Sequence, residues 1–180
     1  MNRTLTALRR FTLGALAATL LSGASATEAE STTAASGPTK RSLSLRARVT
    51  ETVIFTGAPP CFAISTVQGS GRSNVLGRFT MNAQDCINPQ GAFDPAGRNA
   101  FNFSSLPTTL IFTAANGDRV HATYSGTLNR RGHLRGHFVI TGGTGQFFGA
   151  TGGGTLSGDL DTSQIVTTHG TMDADGEIVY

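Results

Sequence analysis

The chain has 180 residues, a formal net charge of +3, two cysteines and few charged side chains, which make up 14% of the sequence. This length is typical of a single domain, and the low charge together with 38% hydrophobic residues excludes a wholly disordered chain. Two cysteines are too few for a four-thiolate zinc site. Glycine supplies 23 residues, nearly twice its usual share of roughly 7%. Because glycine destabilises helices, this composition disfavours an all-helical protein.

The N-terminal segment, residues 1–26, is typical of a secretory signal peptide. Three arginines come early, an uncharged and mostly apolar run follows over residues 11–24, and Ala24-Ser25-Ala26 matches the small-x-small cleavage pattern. The apolar run is shorter than the about 20 residues that a membrane span needs. We therefore expect cleavage after Ala26, export to the periplasm or the cell exterior, and no stable membrane span in the mature chain.

Cleavage changes the charge of the protein. It removes three of the 14 basic residues and none of the 11 acidic ones, which leaves a mature chain of zero net charge. Because no Lys/Arg run longer than a pair remains, we predict no nucleic-acid partner. Residues 27–40 are small, polar and aperiodic, and they are predicted to form a flexible linker ahead of a single domain over residues 41–180.

The body of the chain shows the two-residue periodicity of β-strands and no sustained helical period. In residues 43–55 the odd positions are apolar except for Glu51, and the even positions are mostly polar. Similar alternation recurs, most clearly over residues 120–128 and 133–141, and a further strand is predicted over residues 74–81. The domain is therefore predicted to be all-β.

Glycine-rich and polar segments are predicted to separate the strands. Turns are expected at residues 69–71, 116–117, 142–145 and 173–176, and a long loop is expected over residues 87–100. About eight strands at such short spacing are typical of an antiparallel barrel or sandwich.

Cys61 and Cys86 are the only cysteines. In an exported chain, an even pair predicts one disulfide, which would close a loop of about 25 residues and contribute roughly 3 kcal/mol. The alternative, a nucleophilic thiol, is disfavoured because free thiols rarely persist in oxidising compartments.

Residues 140–152, with the sequence ITGGTGQFFGATG, contain a Gly-Gly-Thr-Gly-x-Phe-x-Gly turn. The residues that build it are Gly142, Gly143, Gly145, Phe147 and Gly149. This turn resembles a signature of the allene oxide cyclases and the dirigent proteins, and residues 117–119 and 76–79 are similar to further segments of these families. The likeness covers about a third of the mature chain. A phosphate-binding loop is disfavoured because the required lysine is absent.

The resemblance implies a single antiparallel eight-stranded barrel of about lipocalin size. It also implies a protein that binds a small hydrophobic molecule and steers its cyclisation or stereoselective coupling without a cofactor, as an isomerase of one of these types does. The related families often form dimers or trimers, so a homo-oligomer stays open. An alternative of another class is a non-catalytic lipocalin-like carrier, or an extracellular accessory or structural protein with a filled barrel.

Glu51 and Tyr124 are the candidate catalytic residues. Glu51 lies in phase with apolar neighbours, and a carboxylate facing an apolar cavity suits acid–base or charge-stabilising work. The resemblance places a glutamate inside the barrel on an early strand, and Glu51 matches it by position alone. A register slip that turns Glu51 to solvent is the alternative. Tyr124 shares a face with Val120 and Ala122 and offers a hydroxyl, with simple packing as its alternative.

Apolar side chains of the same faces are predicted to line the cavity. They are Val49, Val53, Phe79, Phe112 and Phe138. Phe147 and Phe148 should point in opposite directions, so that one closes the barrel and the other lies outside. His121, His133 and His137 are expected on outer faces, and Arg135 between His133 and His137 opposes a bound cation. We predict neither a metal site nor a cofactor.

Overall fold

The computed structural model describes residues 37–92, 100–107, 110–164 and 166–180. The predicted signal peptide and most of the predicted linker lie outside these described residues. The strands are β1 (Lys40–Ala58), β2 (Cys61–Ser73), β3 (Gly77–Pro89), β4 (Phe101–Ser105), β5 (Leu110–Ala114), β6 (Arg119–Leu128), β7 (His133–Gly143), β8 (Thr151–Asp161) and β9 (Thr167–Val179), with a 3-10 turn at Gly145–Phe147. No helix within the described part of the chain has the length and apolar character needed to cross a membrane.

The strands form a closed antiparallel sheet. They are hydrogen-bonded in the order β2-β1-β9-β8-β7-β6-β4-β3-β5, and β2 also pairs with β3 while β6 also pairs with β5. The short strands β4 and β5 both lie between β3 and β6, so together they fill one position in the wall. The result is the all-β, eight-stranded barrel that was predicted.

Two predicted turns are wrong, because residues 69–71 lie inside β2 and residues 173–176 lie inside β9. The glycines there allow close approach of neighbouring strands instead of reversing the chain. A Cβ atom on Gly71 would lie 2.0 Å from the backbone oxygen of Arg46, and one on Gly176 would lie 2.1 Å from the backbone oxygen of Gly153. Such glycines are typical of tightly coiled barrel walls.

Other strand boundaries also differ from the predictions. The turn between β2 and β3 falls at residues 74–76, where the sequence predicted the start of a strand. The strand β3 continues to Pro89, three residues into the segment predicted as a loop. The predicted turn at residues 116–117 is present within a four-residue connection, where the backbone N–H of Asp118 donates to the side-chain oxygen of Asn116 at 3.1 Å.

The barrel interior is the hydrophobic core, and Phe147 closes one end of it. The Phe147 side chain is fully buried and packs edge-on against the Tyr180 ring, with 5.0 Å between ring centroids. Phe148 is 84% exposed. The opposite orientations of the two rings are therefore as predicted, although the residues lie at a 3-10 turn and not on a strand. Gly145 is required in this turn, because its φ is +59° and a Cβ there would overlap the Asp118 carboxylate.

The predicted disulfide between Cys61 and Cys86 is confirmed. It joins the start of β2 to β3 at the end of the barrel opposite Phe147, and we call this end the mouth. The Cα atoms of the two cysteines are 5.1 Å apart, within the range that disulfides bridge.

A double Cys61→Ala, Cys86→Ala variant should lose about 3 kcal/mol of unfolding free energy, because its unfolded chain gains the freedom of a 25-residue loop. Urea unfolding followed by circular dichroism measures this loss. The wild-type protein under reducing conditions is the matched control and should show a similar loss. A difference below about 0.5 kcal/mol between the variant and the oxidised wild type would contradict the expectation.

Candidate functional site

The half of the barrel interior nearer the mouth contains a cavity of about 50 Å³, the mouth cavity. Its polar groups are the carboxyls of Glu51 and Asp85 and the hydroxyl of Tyr124. The rest of its wall is apolar and includes Phe101, Phe103, Leu128, Leu160 and Met172. Phe101, Phe103, Leu128 and Leu160 are half-buried, so the cavity borders the mouth.

Asp85 and Tyr124 form the closest polar contact in this cavity. The Tyr124 hydroxyl lies 2.6 Å from each carboxyl oxygen of Asp85, to which it donates. Both side chains are buried. This contact joins β3 to β6, two strands that are not hydrogen-bonded to each other.

A break in the wall allows the contact. The strand β6 pairs with β5 through residues 119–122 and with β4 through residues 125–128, and Tyr124 lies between the two segments. The backbone N–H of Tyr124 donates to the Ser105 hydroxyl at 3.0 Å, which replaces a missing strand–strand hydrogen bond. The Phe103 ring packs against the Tyr124 ring, with 5.7 Å between centroids.

Burial sets the protonation of this pair. The pKa of Asp85 is raised to about 7. Removal from water is the largest cause, the hydrogen bond from Tyr124 opposes it by lowering the pKa, and the nearby Glu51 carboxylate contributes to the increase. Burial also raises the pKa of Tyr124 well above its ordinary value, and the charge of Asp85 adds to this effect. Near neutral pH, Asp85 therefore lies between its two protonation states, while Tyr124 stays a hydroxyl donor.

Glu51 lies on the inner face of β1, and its alternative orientation towards solvent is not adopted. Only 8% of the residue is exposed. The hydroxyl of Thr168, its direct partner on β9, donates to a Glu51 carboxyl oxygen at 3.3 Å. Its acid–base role stays a prediction.

Ser65 adds an unusual polar group on the inner face of β2. The residue is fully buried, and in the strand register it lies opposite Asp85 on β3. Its hydroxyl has no hydrogen-bond partner among the described residues. A buried polar group without a partner costs about 1–3 kcal/mol. Together, Ser65 and the groups described above form a band of inner-face side chains on five strands. We call this band the polar belt, and its members are Glu51, Ser65, Asp85, Tyr124 and Thr168.

The predicted lining residues occupy different parts of the interior. Val49 lines the mouth cavity, while Phe112 and Phe138 line a second, apolar cavity of about 20 Å³ in the other half of the barrel. Phe79 packs in the core against Phe112, with 5.6 Å between ring centroids. Val53 is half-buried near the end of the inner face of β1.

Asp85, Ser65 and Thr168 were missed by the sequence analysis. The sequence does carry a signal for Asp85. Phe79, Met81 and Ala83 are apolar residues at alternate positions, all of them buried, and Asp85 is the next residue on the same face of the strand. The same pattern identified Glu51 on β1. The predicted strand ended at Met81, so Asp85 fell outside it. Ser65 and Thr168 are short polar residues that are common in strands, and the sequence carries no signal that separates them from outward-facing neighbours.

The histidines lie on the outer face of the barrel and away from the polar belt. His133 contacts Asp159 on β8, and the Thr50 hydroxyl lies 3.1 Å from His169 Nδ1. Across the described ranges, no three His, Cys, Asp or Glu side chains are grouped so that they could hold a metal ion.

Comparison with known proteins adds no family assignment: no protein-family model matches this sequence, and no curated protein matches it. The likeness to the allene oxide cyclases and the dirigent proteins therefore rests on the turn over residues 142–149 and on the similar segments at residues 117–119 and 76–79. The structure adds an all-β, eight-stranded barrel, in which this turn closes one end.

Proposed function

We propose that the protein is an exported barrel, similar to the allene oxide cyclases and dirigent proteins, that binds a small hydrophobic molecule at the mouth cavity. In this proposal, Asp85, Tyr124 and Glu51 steer a cyclisation or isomerisation of the bound molecule. One observation carries it: a carboxyl group with a pKa of about 7 lies beside a second carboxyl and a tyrosine hydroxyl, in a cavity with otherwise apolar walls. Perturbed acids in an apolar cavity are typical of sites for proton transfer.

Proton transfer by the polar belt follows from these positions. A group that titrates near the working pH is the most effective general acid or base. Asp85 gives a proton to one atom of the ligand, and Glu51 removes a proton from another, so the ligand is rearranged with no net change in its composition. The proton then returns from Glu51 to Asp85. Tyr124 stabilises the Asp85 carboxylate that forms during the reaction.

The size of the mouth cavity limits how the ligand binds. Binding sites for small molecules usually measure about 300–1,000 Å³, which is much larger than about 50 Å³. Only the reacting end of the ligand therefore enters the cavity. The body of the ligand lies against the half-buried apolar side chains at the mouth, among them Phe101, Phe103 and Leu160.

Export is supported by two independent features. The first is the signal-like sequence of residues 1–26. The second is the Cys61–Cys86 disulfide, since such bonds persist in oxidising compartments. We propose a periplasmic or extracellular location on these grounds.

Binding at the mouth is tested with Nile red, a neutral dye whose fluorescence rises in apolar surroundings. The wild-type protein should bind it, and Leu160→Trp should weaken binding at least tenfold because the larger ring fills the mouth cavity. Val139→Trp is the matched control, since Val139 is exposed on the outer face of β7. Failure of the wild type to bind, or equal binding by Leu160→Trp, would contradict the proposed site.

A second candidate function is a purely structural protein with a filled barrel. The small volumes of the two cavities, about 20 and 50 Å³, favour it. Such a protein binds no neutral apolar probe, so the Nile red experiment separates the two candidates.

A further inference from the structure

The charged side chains that line the mouth cavity are all acidic. Glu51 and Asp85 contribute two carboxyl groups, and no Lys, Arg or His among the described residues lines the cavity. An anionic head group would meet both carboxyls with no counter-charge, in surroundings where water cannot screen the repulsion. The cavity therefore disfavours carboxylate and phosphate ligands.

The polar belt also has more hydrogen-bond acceptor positions than donors to fill them. An ionised carboxyl has about four acceptor positions, and the contacts of Asp85 with Tyr124 and of Glu51 with Thr168 use only some of them. The free positions need donors. An alkylammonium group brings three donors, a positive charge and no acceptor.

The unpartnered hydroxyl of Ser65 is a further sign of unused hydrogen-bonding capacity beside the cavity. Ser65 is fully buried, lies on the inner face and faces Asp85 across the β2–β3 pairing. Buried polar atoms in folded proteins nearly always have a partner. Ser65 itself does not line the mouth cavity, so its hydroxyl shows that hydrogen-bonding capacity at the level of Asp85 is left unused.

The volume and the walls of the cavity also suit an ammonium head group. One water molecule needs about 10–15 Å³ of cavity volume. A cavity of about 50 Å³ therefore has room for a primary ammonium and its first carbon. The rings of Phe103 and Tyr124 also stand beside the carboxyls, where aromatic faces attract cations.

From these observations we infer that the polar belt recognises the ammonium group of a lipophilic primary amine, with the apolar body of the ligand at the mouth. This inference rests on the proposed function, since it names the class of ligand for the same cavity. Asp85 and Glu51, which both line the cavity, pair with the cation.

The test compares three ligands with the same eight-carbon chain: octylamine, octanol and octanoate. Displacement of Nile red from the wild-type protein is measured at pH 8, where Asp85, with its pKa of about 7, is mostly ionised. Octylamine should bind at least tenfold more tightly than octanol, and octanoate should bind most weakly. Asp85→Asn and Glu51→Gln should each reduce octylamine affinity towards that of octanol.

Asp175→Asn is the matched control, because Asp175 is an exposed acid on the outer face of β9. It should bind all three ligands as the wild type does. If octanol or octanoate binds as tightly as octylamine, the inference is wrong and the proposed hydrophobic site stands. If none of the three displaces the dye and the dye itself does not bind, the proposed function is wrong as well. Unchanged octylamine affinity in both carboxyl variants would also overturn the inference.

Discussion

Phe147→Ala is expected to lower the unfolding free energy of the barrel by about 3–5 kcal/mol, the usual cost of removing a buried phenylalanine ring. Phe147 is fully buried, packs edge-on against Tyr180 and closes one end of the core. The glycine-rich turn around it holds close backbone contacts, so the surrounding chain has little freedom to collapse into the space that the ring leaves. Urea unfolding of the wild type and the variant, followed by circular dichroism, measures the difference.

Phe148→Ala is the control for this experiment, because it removes the same ring from the next position. Phe148 is 84% exposed, and truncation of such a side chain usually changes stability by less than about 0.5 kcal/mol. Similar losses in the two variants would show that Phe147 does not close the core as described.

Asp85→Asn should make the barrel more stable at pH 8 and should remove most of its pH dependence between pH 4 and pH 7. In the unfolded chain Asp85 has its ordinary pKa of 3.8, and burial raises the pKa to about 7 in the folded protein. Between these values the folded state keeps a proton that the unfolded state has released. Raising the pH through this window therefore favours unfolding.

The size of the effect follows from the pKa difference. Each unit corresponds to about 1.4 kcal/mol, so the wild type should lose about 4 kcal/mol between pH 4 and pH 7 through Asp85. Asparagine carries no proton to lose, and its side-chain oxygen still accepts from Tyr124. The two proteins should therefore be nearly equally stable below pH 4 and differ by a few kcal/mol at pH 8.

Urea unfolding at a series of pH values from 3 to 8 provides the measurement. Asp175→Asn on the outer face should reproduce the wild-type profile, because its exposed carboxyl is solvated in both states. The informative quantity is the stability difference between wild type and Asp85→Asn, in which the contributions of the other acids cancel. A difference that does not change from pH 4 to pH 8 would contradict the buried, proton-binding state of Asp85.

This expected instability supports a functional reading of the polar belt. An acid that weakens the fold at neutral pH is readily replaced by asparagine or an apolar residue unless it serves another purpose. Asp85 lies beside a second buried acid, Glu51, and opposite the unpartnered hydroxyl of Ser65. Three costly polar groups at one level of an apolar barrel are better explained by a ligand or a reaction than by stability.

The local pattern of apolar and polar residues was sufficient to predict much of the fold. The alternation over residues 43–55 identified β1 and placed Glu51 on its apolar face, since a strand repeats every two residues. Turn assignment was less reliable, because a glycine needed for close strand contact, such as Gly71, has the same local appearance as one that reverses the chain. The strand predicted at β3 was also ended too early, at Met81, and Asp85 was missed.

The sequence by itself determined the all-β class, the Cys61–Cys86 pairing, and the opposite orientations of Phe147 and Phe148. The class and the ring orientations depend on neighbouring residues, and the pairing follows because the chain has two cysteines. Only the tertiary structure decided that Tyr124 meets Asp85, 39 residues away, across the break between β4 and β5. It also decided that the interior is nearly filled, with a cavity of about 50 Å³ beside the acids. Periodicity reports which face a side chain occupies, whereas contacts and free volume depend on how the closed barrel brings distant strands together.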